Sequence, residues 1–159
     1  MTGLARDSRP LVVAERRYTD PVVRALEADL QREYIDRYGG EDAAPTDPSD
    51  FEAPNGVFMV GFLGDEPVAT GGYRRLETGI AEIKRMYVST DHRGSGYARE
   101  LLKTLESHAR GSGFRRVVLE AGIEQPEALS LYGSSGYTPT EPFGFYADQE
   151  TSRFYGKDL

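Results

Sequence analysis

The chain contains no cysteine at all, and this absence rules out several kinds of site at once. Disulfide bonds, thiolate metal ligands and a cysteine nucleophile are all excluded. Only His92 and His108 supply imidazole groups, so a metal site built from several histidines is not expected. The sequence therefore predicts no metal.

Long apolar runs are also absent. No run approaches the 18 or so apolar residues that a membrane-spanning helix needs. The N-terminus shows no charged-then-apolar signal pattern. We therefore expect a soluble, cytoplasmic protein with no membrane partner.

Positive charge is in short supply. The 159 residues include 19 Lys and Arg against 26 Asp and Glu, which gives a net charge of −7. A broad basic face for nucleic acid or anionic lipid is therefore not expected, and a cationic substrate is favoured over an anionic one.

The 38% hydrophobic content is typical of an ordered globular protein. The length predicts a single domain over residues 1–159.

Hydrophobic periodicity divides the chain into seven strand-like runs and three helices. Asp20-Pro21 reads as the cap and first position of the first helix, which Gly39-Gly40 ends. Residues 41–56 are predicted to form a loop. The strand runs are 11–14, 57–63, 67–75, 80–88, 116–120, 136–138 and 152–157. Strands that come first, followed by a β-α-β-α-β-β order, predict an α+β or mixed α/β fold.

The run 80–88 has the alternation of a strand. Strict alternation places five residues on one face, namely Ile80, Glu82, Lys84, Met86 and Val88, and four on the other, namely Ala81, Ile83, Arg85 and Tyr87.

A glycine-rich turn, Arg93-Gly94-Ser95-Gly96-Tyr97-Ala98, follows this strand and opens an amphipathic helix. The first N–H groups of a helix have no intrahelical acceptor, and the helix dipole favours negative charge there. Small residues also let the backbone close around a phosphate. The turn therefore predicts a site for a phosphorylated cofactor. No Gly-Lys-Ser/Thr follows the glycines, which argues against a nucleotide P-loop.

Two motifs resemble those of the GCN5-related N-acetyltransferases (GNAT). The first is the strand Ala81–Val88 with the turn, in which Arg93, Gly96 and Ala98 match the pattern Gln/Arg-x-x-Gly-x-Gly/Ala. The second is Gln125-Pro126-Glu127-Ala128-Leu129-Ser130-Leu131-Tyr132 with Gly136-Tyr137, similar to Asn-x-x-Ala-x-x-Leu-Tyr followed by Gly-Phe. Gln125 and Tyr137 depart from that pattern. The resemblance covers roughly residues 10–159 and implies the GNAT-like acyl-CoA N-acyltransferase fold, a mixed sheet of about seven strands with helices on both faces.

The same resemblance implies acetyl-CoA as the cosubstrate. In the family the strand before the turn pairs with the pantetheine arm, and the amides of the turn hold the pyrophosphate. The implied cofactor-binding residues are Met86, Tyr87, Val88, Arg93, Gly94, Ser95, Gly96, Tyr97, Ala98, Gln125 and Ala128. The Arg93 side chain either bonds a phosphate or only terminates the turn.

Acetyl transfer to an amine needs a proton acceptor for the ammonium and a proton donor for the departing thiolate. Tyr132 is the candidate acid, because a phenol stays protonated at neutral pH. It shares a helix face with Gln125 and Ala128, although it could equally be a core tyrosine. Glu82 is the first candidate for the base and Glu120 the second. Both glutamates could instead pair with Arg85, Arg115 or Arg116.

The acceptor side is predicted from a loop and three aromatic residues. Five carboxylates between Glu41 and Glu52, with no cation among them, would attract a polyamine or another amine. Phe143, Phe145 and Tyr146 either wall the same pocket or pack beneath a hairpin. The sequence thus predicts an N-acetyltransferase acting on a primary amine of a small molecule. The alternatives are a protein N-terminal or lysine acetyltransferase and a non-catalytic acyl-CoA-binding module, and a homodimer is left open.

Overall fold

The computed structural model describes residues 9–159. Residues 1–8, which the predicted domain 1–159 includes, lie outside the described part. The strands are β1 Val12–Glu15, β2 Gly56–Leu63, β3 Glu66–Glu77, β4 Ile80–Val88, β5 Arg116–Gly122, β6 Thr138–Pro139 and β7 Ser152–Asp158. The helices are α1 Pro21–Tyr38, α2 Tyr97–Gly111 and α3 Pro126–Ser134, with short 3₁₀ helices at Pro48–Phe51 and Thr90–His92.

All seven strands join one mixed sheet in the order β1-β2-β3-β4-β5-β7-β6. Neighbouring strands are antiparallel except β4 and β5, which are parallel and are connected through α2. The predicted mixed fold with about seven strands is therefore confirmed. None of the helices within residues 9–159 is long and apolar enough to cross a membrane.

Helices cover both faces of the sheet. The α1-side core contains Val23, Leu26 and Leu30 of α1 together with Phe58 and Tyr87 of the sheet. The α2-side core is larger, and α2 contributes its whole apolar stripe, namely Tyr97, Leu101, Leu102, Leu105 and Ala109. These spacings are helical, so one face of each helix is buried while the other stays polar.

The predicted ends of α1 are confirmed by its capping contacts. The Asp20 side chain accepts a hydrogen bond from the Val22 backbone N–H at 2.8 Å, and Pro21 occupies the first helical position. Gly39 adopts the left-handed conformation at φ 79° and donates its N–H to the Ile35 carbonyl. The loop that follows is not wholly irregular, because Asp47 and Asp50 form a capping box around the 3₁₀ helix.

The prediction for the two faces of β4 is wrong, because the strand contains a β-bulge. Gly71 of β3 lies opposite two residues of β4, Arg85 and Met86, and Arg85 adopts a left-handed φ of 61°. The extra residue reverses the alternation. Ala81 and Ile83 before the bulge and Met86 and Val88 after it all contact the α2-side core.

The parallel strands β4 and β5 separate soon after they begin. They pair only at Ile80–Glu82 of β4 and Arg116–Val118 of β5. Beyond these residues β4 still pairs with β3, and β5 still pairs with β7. A gap therefore opens at the carboxyl ends of the two parallel strands, which is where α/β sheets commonly bind ligands.

Candidate active site

A cavity of about 250 Å³ occupies this gap, and we call it the turn cavity. Its walls come from the end of β4, the glycine-rich turn with the start of α2, one residue of α1, and α3. The lining residues are Glu33, Met86, Tyr87, Val88, His92, Arg93, Gly94, Gly96, Tyr97, Ala98, Arg99, Gln125, Glu127, Ala128, Leu131 and Tyr132.

The turn has the backbone geometry of an anion site. Gly94 and Gly96 both have φ 85°, which a residue with a side chain adopts only at a cost. Gly96 is the N-cap of α2 and has no side chain to occupy the helix end. The first intrahelical bond runs from the Glu100 N–H to the Gly96 carbonyl at 3.1 Å. The residues ahead of it, Gly96 to Arg99, line the turn cavity, and the N-terminal end of a helix dipole favours a phosphate there.

The end of β4 supplies a second backbone surface. Tyr87 and Val88 pair with Thr70 and Ala69 of β3 on one edge. Their other edge borders the gap left by β5. An extended polar ligand arm can pair with such an edge as an added strand would.

Arg93 directs its side chain to protein groups. Its Nε donates to the Val88 carbonyl at 2.9 Å, and its Nη1 lies 2.8 Å from Glu33 of α1. The guanidinium also lies over the Tyr87 ring. In this arrangement the Arg93 side chain holds the turn against α1 and β4. This is a structural role, the alternative to bonding a phosphate.

Ten of the eleven predicted cofactor-binding residues line the turn cavity. Only Ser95 does not, although it belongs to the same turn. Sequence reasoning missed Arg99, which lies in the first turn of α2 and bonds to Ser134 and Ser135 at the end of α3. The sequence signal that could have identified Arg99 as a lining residue is its position three residues after Gly96, in the first turn of the helix.

Tyr132 lies in the wall of the turn cavity and is buried. Its ring packs edge-on against Tyr137, with centroids 5.7 Å apart. Its hydroxyl makes no hydrogen bond to any of residues 9–159. Burial, and then the charge of Glu120, raises the pKa of Tyr132, so the phenol remains a proton donor throughout the neutral range.

The two candidate bases have different surroundings. Glu82 accepts a hydrogen bond from Arg74 Nε at 3.1 Å and lines neither the turn cavity nor the cavity described next. Its partner is thus Arg74, and not Arg85, Arg115 or Arg116, which were considered from the sequence. Glu120 accepts from Ser152 Oγ at 2.9 Å. Burial raises its pKa, and the charges of Asp42 and Glu82 add to that effect against the opposing influence of Ser152 and Lys84.

A second cavity of about 340 Å³, the loop cavity, lies beside the first. Gln125 lines both. Its Oε1 accepts from the Tyr38 hydroxyl and from the Gly122 N–H, each at 3.3 Å. The lining residues are Tyr34, Tyr38, Gly40, Glu41, Asp42, Glu120, Gly122, Gln125, Tyr146, Gln149, Thr151 and Ser152.

The acidic loop is largely neutralised within the fold, so the prediction of five available carboxylates is wrong. Four have protein partners: Asp42 pairs with Lys84 and Arg85, Asp47 caps the 3₁₀ helix, Asp50 pairs with Arg74, and Glu52 pairs with Arg17. Although burial opposes it, the charges of Lys84 and Arg85 lower the pKa of Asp42. Of the five, Glu41 and Asp47 have no ion pair within the described residues, and Asp47 is occupied as the helix cap.

Tyr146 joins two loops over the loop cavity. Its hydroxyl donates to Asp42 Oδ1 at 2.6 Å and accepts from the Ala43 N–H at 2.8 Å. Of the three aromatic residues predicted for this region, Tyr146 alone lines the cavity. Phe143 instead packs on Phe154, with centroids 5.3 Å apart, and Phe145 is exposed beside Tyr146.

Other lining residues were not assigned to the site from sequence. Tyr34 lies on α1, and Tyr38 follows it one helical turn later. Ser152 begins β7 and reaches Glu120 across the strand pair. Within the described residues, no three His, Asp or Glu side chains gather as a metal site.

Residues 23–137 match the model of the Acetyltransferase (GNAT) family. The chain is 32% identical over 149 residues to the IAA acetyltransferase of Azospirillum brasilense, which covers 93% of this chain and 97% of that protein.

Solved structures share the fold. A Klebsiella pneumoniae protein described as an acyl-CoA N-acyltransferase is 28% identical, with a TM-score of 0.79 over 94% of this chain and 97% of that one. A GNAT acetyltransferase from Elizabethkingia anophelis, solved with acetyl-CoA bound, has a TM-score of 0.68 over 94% of this chain and 98% of that one. At 17% identity the second likeness concerns the fold alone.

Proposed function

The chain belongs to the GNAT family of acetyltransferases, and on that premise we propose that it transfers the acetyl group of acetyl-CoA to the amine of a small molecule. The main observation in support of this proposal is that the turn cavity and the loop cavity share the lining residue Gln125. A buried phenol, Tyr132, lies in the wall of one, and a half-buried carboxylate, Glu120, lies in the wall of the other.

The turn cavity fits acetyl-CoA, a cosubstrate with a diphosphate and an extended arm. The α2 N-terminus and the glycine turn suit the diphosphate. The edge of β4 at Met86, Tyr87 and Val88 suits the amides of the arm. Two carboxylates in the lining, Glu33 and Glu127, are each paired with an arginine, so they do not repel the phosphates as free charges would.

The loop cavity would hold the amine. An alkylammonium with a pKa of about 10.4 must lose a proton before its nitrogen can attack. Glu120 is placed to accept that proton directly or through water, and its raised pKa makes it a stronger base than an ordinary glutamate.

Acetyl-CoA supplies an activated thioester, so that an N–C bond forms as the C–S bond breaks. Tyr132, which lines the turn cavity whereas Glu120 lines the loop cavity, would protonate the departing sulfur. The proton taken from the amine and the proton given to the thiolate then balance. Positioning of the two partners supplies much of the remaining rate enhancement.

Two rival functions were open from sequence. A protein substrate would need an open groove between the loop after α1 and the loop before β7. The hydrogen bonds of Tyr146 to Asp42 and Ala43 join those loops, which favours a small acceptor. A non-catalytic module would have no use for a buried phenol and a half-buried carboxylate of raised pKa in two cavities that share Gln125.

The test of this mechanism is Tyr132→Phe, assayed by release of free thiol from acetyl-CoA in the presence of an amine. The variant keeps the packing on Tyr137 and removes only a hydroxyl without a protein partner. We expect kcat to fall on the order of 100-fold, at the lower end of the usual range for general acid catalysis. The dissociation constant for acetyl-CoA should not change.

Tyr137→Phe is the matched control. It removes a hydroxyl from the neighbouring ring and breaks a 2.7 Å hydrogen bond to Glu106. The free energy of unfolding should fall by about 1–2 kcal/mol while kcat stays near the wild-type value. Equal kcat values for the wild type and Tyr132→Phe would remove Tyr132 from the mechanism.

A further inference from the structure

We propose that the acceptor is an arylalkylamine, a molecule with one ammonium group and an aromatic ring. The inference rests on the proposed function and narrows its substrate class. It is drawn from the rings, the charges and the mouth of the loop cavity.

Tyrosine rings from two separate parts of the chain line the loop cavity. Tyr34 and Tyr38 come from α1, with ring centroids 6.2 Å apart and planes tilted by 57°. Tyr146 comes from the loop before β7. The hydroxyls of Tyr38 and Tyr146 are bonded to Gln125 and Asp42, so the protein already uses their polar ends. The ring surfaces are what these two side chains offer to a ligand, and aromatic rings pack on one another edge-to-face or offset.

The charges in the lining match a single ammonium. Asp42 is neutralised by Lys84 and Arg85. Glu41 is exposed at the rim. Glu120 is half-buried, and it is therefore the one sheltered carboxylate of the lining that has no ion pair within residues 9–159. A second or third ammonium of a polyamine would lose water without gaining such a carboxylate, which is costly.

The size of the loop cavity and the residues near its opening also favour an arylalkylamine. Its volume of about 340 Å³ lies at the small end of the range for small-molecule sites. Exposed apolar side chains surround the mouth. Tyr38 is 37% exposed, Phe145 beside Tyr146 is 58% exposed, and Ile123, whose N–H bonds the carbonyl of the lining residue Thr151, is 39% exposed. An apolar ring can enter past such a rim more readily than a polycation.

The experiment compares three amines in the thiol-release assay, with each rate corrected for the unprotonated fraction of the amine. They are 2-phenylethylamine, 2-cyclohexylethylamine and spermidine. The phenyl compound should exceed the cyclohexyl compound in kcat/KM by between about twofold and about tenfold, because only the phenyl ring gains aromatic packing. It should exceed spermidine by more than tenfold.

Two variants at Tyr38 test the wall itself. Tyr38→Leu removes the ring from a partly exposed position, so the preference for phenyl over cyclohexyl should fall toward one. Tyr38→Phe keeps the ring and should keep the preference. Because the Tyr38 hydroxyl bonds Gln125, which lines the turn cavity, the dissociation constant for acetyl-CoA is measured for both variants, and the comparison of amines is made at saturating acetyl-CoA.

These outcomes distinguish failure of the arylalkylamine assignment from failure of the proposed acetyl transfer to small amines. Equal rates with the phenyl and cyclohexyl amines, or faster turnover of spermidine, would overturn the arylalkylamine assignment while leaving acetyl transfer to small amines intact. Failure of all three amines to release thiol would overturn both proposals.

Discussion

Glu82 and Glu120 are the same residue type on adjacent parallel strands, yet their partners give them different chemistry. Glu82 lies within the short stretch where β4 and β5 pair, beside the guanidinium of Arg74. Glu120 lies beyond that stretch, where the strands have separated, and its hydrogen-bond partner is the neutral Ser152. Partial burial without an ion pair makes a carboxylate hold its proton more tightly, so Glu120 is better suited to accept one.

Replacing Glu120 with Gln should therefore remove the base and keep the fold. We expect kcat/KM for the amine to fall on the order of 100-fold. The wild-type enzyme should lose activity as the pH falls through the raised pKa of Glu120, and the variant should lack that acidic limb. The measurement is kcat/KM against pH for both proteins. An acidic limb that persists unchanged in the variant would assign the titration to another group.

The stability of the same variant provides the control. The folded-state pKa of Glu120 lies above its unfolded value. Its favourable contribution is therefore present at low pH and is lost as the pH rises through the folded-state pKa. At pH 7 the substitution Glu120→Gln should leave the free energy of unfolding unchanged or raise it, as measured by urea denaturation. A large loss of stability would mean that reduced activity reflects unfolding.

At the scale of elements, the turn between β4 and α2 depends on backbone conformation rather than on side chains. A Cβ at Gly96 would meet no atom within 4 Å, so only its φ of 85° opposes a substitution. Gly96→Ala should lower the free energy of unfolding by about 1 kcal/mol, because an L-residue is disfavoured in the left-handed region. It should also weaken acetyl-CoA binding, since the amides of the turn would shift.

Gly133→Ala is the matched control. Gly133 lies in α3, and a Cβ there also meets nothing within 4 Å. Its φ is not positive, so alanine should raise the free energy of unfolding by about 0.5–1 kcal/mol. Denaturation and calorimetric titration with acetyl-CoA would measure both variants. Equal affinity in Gly96→Ala and the wild type would contradict the role given to this turn.

The limits of sequence reasoning are clearest in β4. Periodicity predicted the helices α1 and α2 because apolar spacing and capping residues act locally. The bulge at Arg85 is not encoded by such a pattern. Its left-handed residue is a buried arginine that pairs with Glu27 and Asp42, which are far apart in the sequence. Other long-range pairs, Asp50 with Arg74 and Glu52 with Arg17, neutralise more of the acidic loop, and Arg74 also holds Glu82.

At the scale of the whole molecule, the site follows from one topological feature. The sheet is antiparallel except between β4 and β5, and these strands stop pairing after Glu82 and Val118. The glycine motif predicted the turn that closes one end of the turn cavity, and cofactor binding there stays a prediction. It could not predict the loop cavity, which needs α1, β5 and the loop before β7 to converge.

The most direct test of the proposed cosubstrate site is a crystal structure of the protein with coenzyme A. We predict that the diphosphate lies on the backbone amides of residues 93–98. The pantetheine arm should run along Met86–Val88, and the thiol should point toward Tyr132 and Gln125. Coenzyme A bound elsewhere, with the gap between β4 and β5 empty, would contradict it.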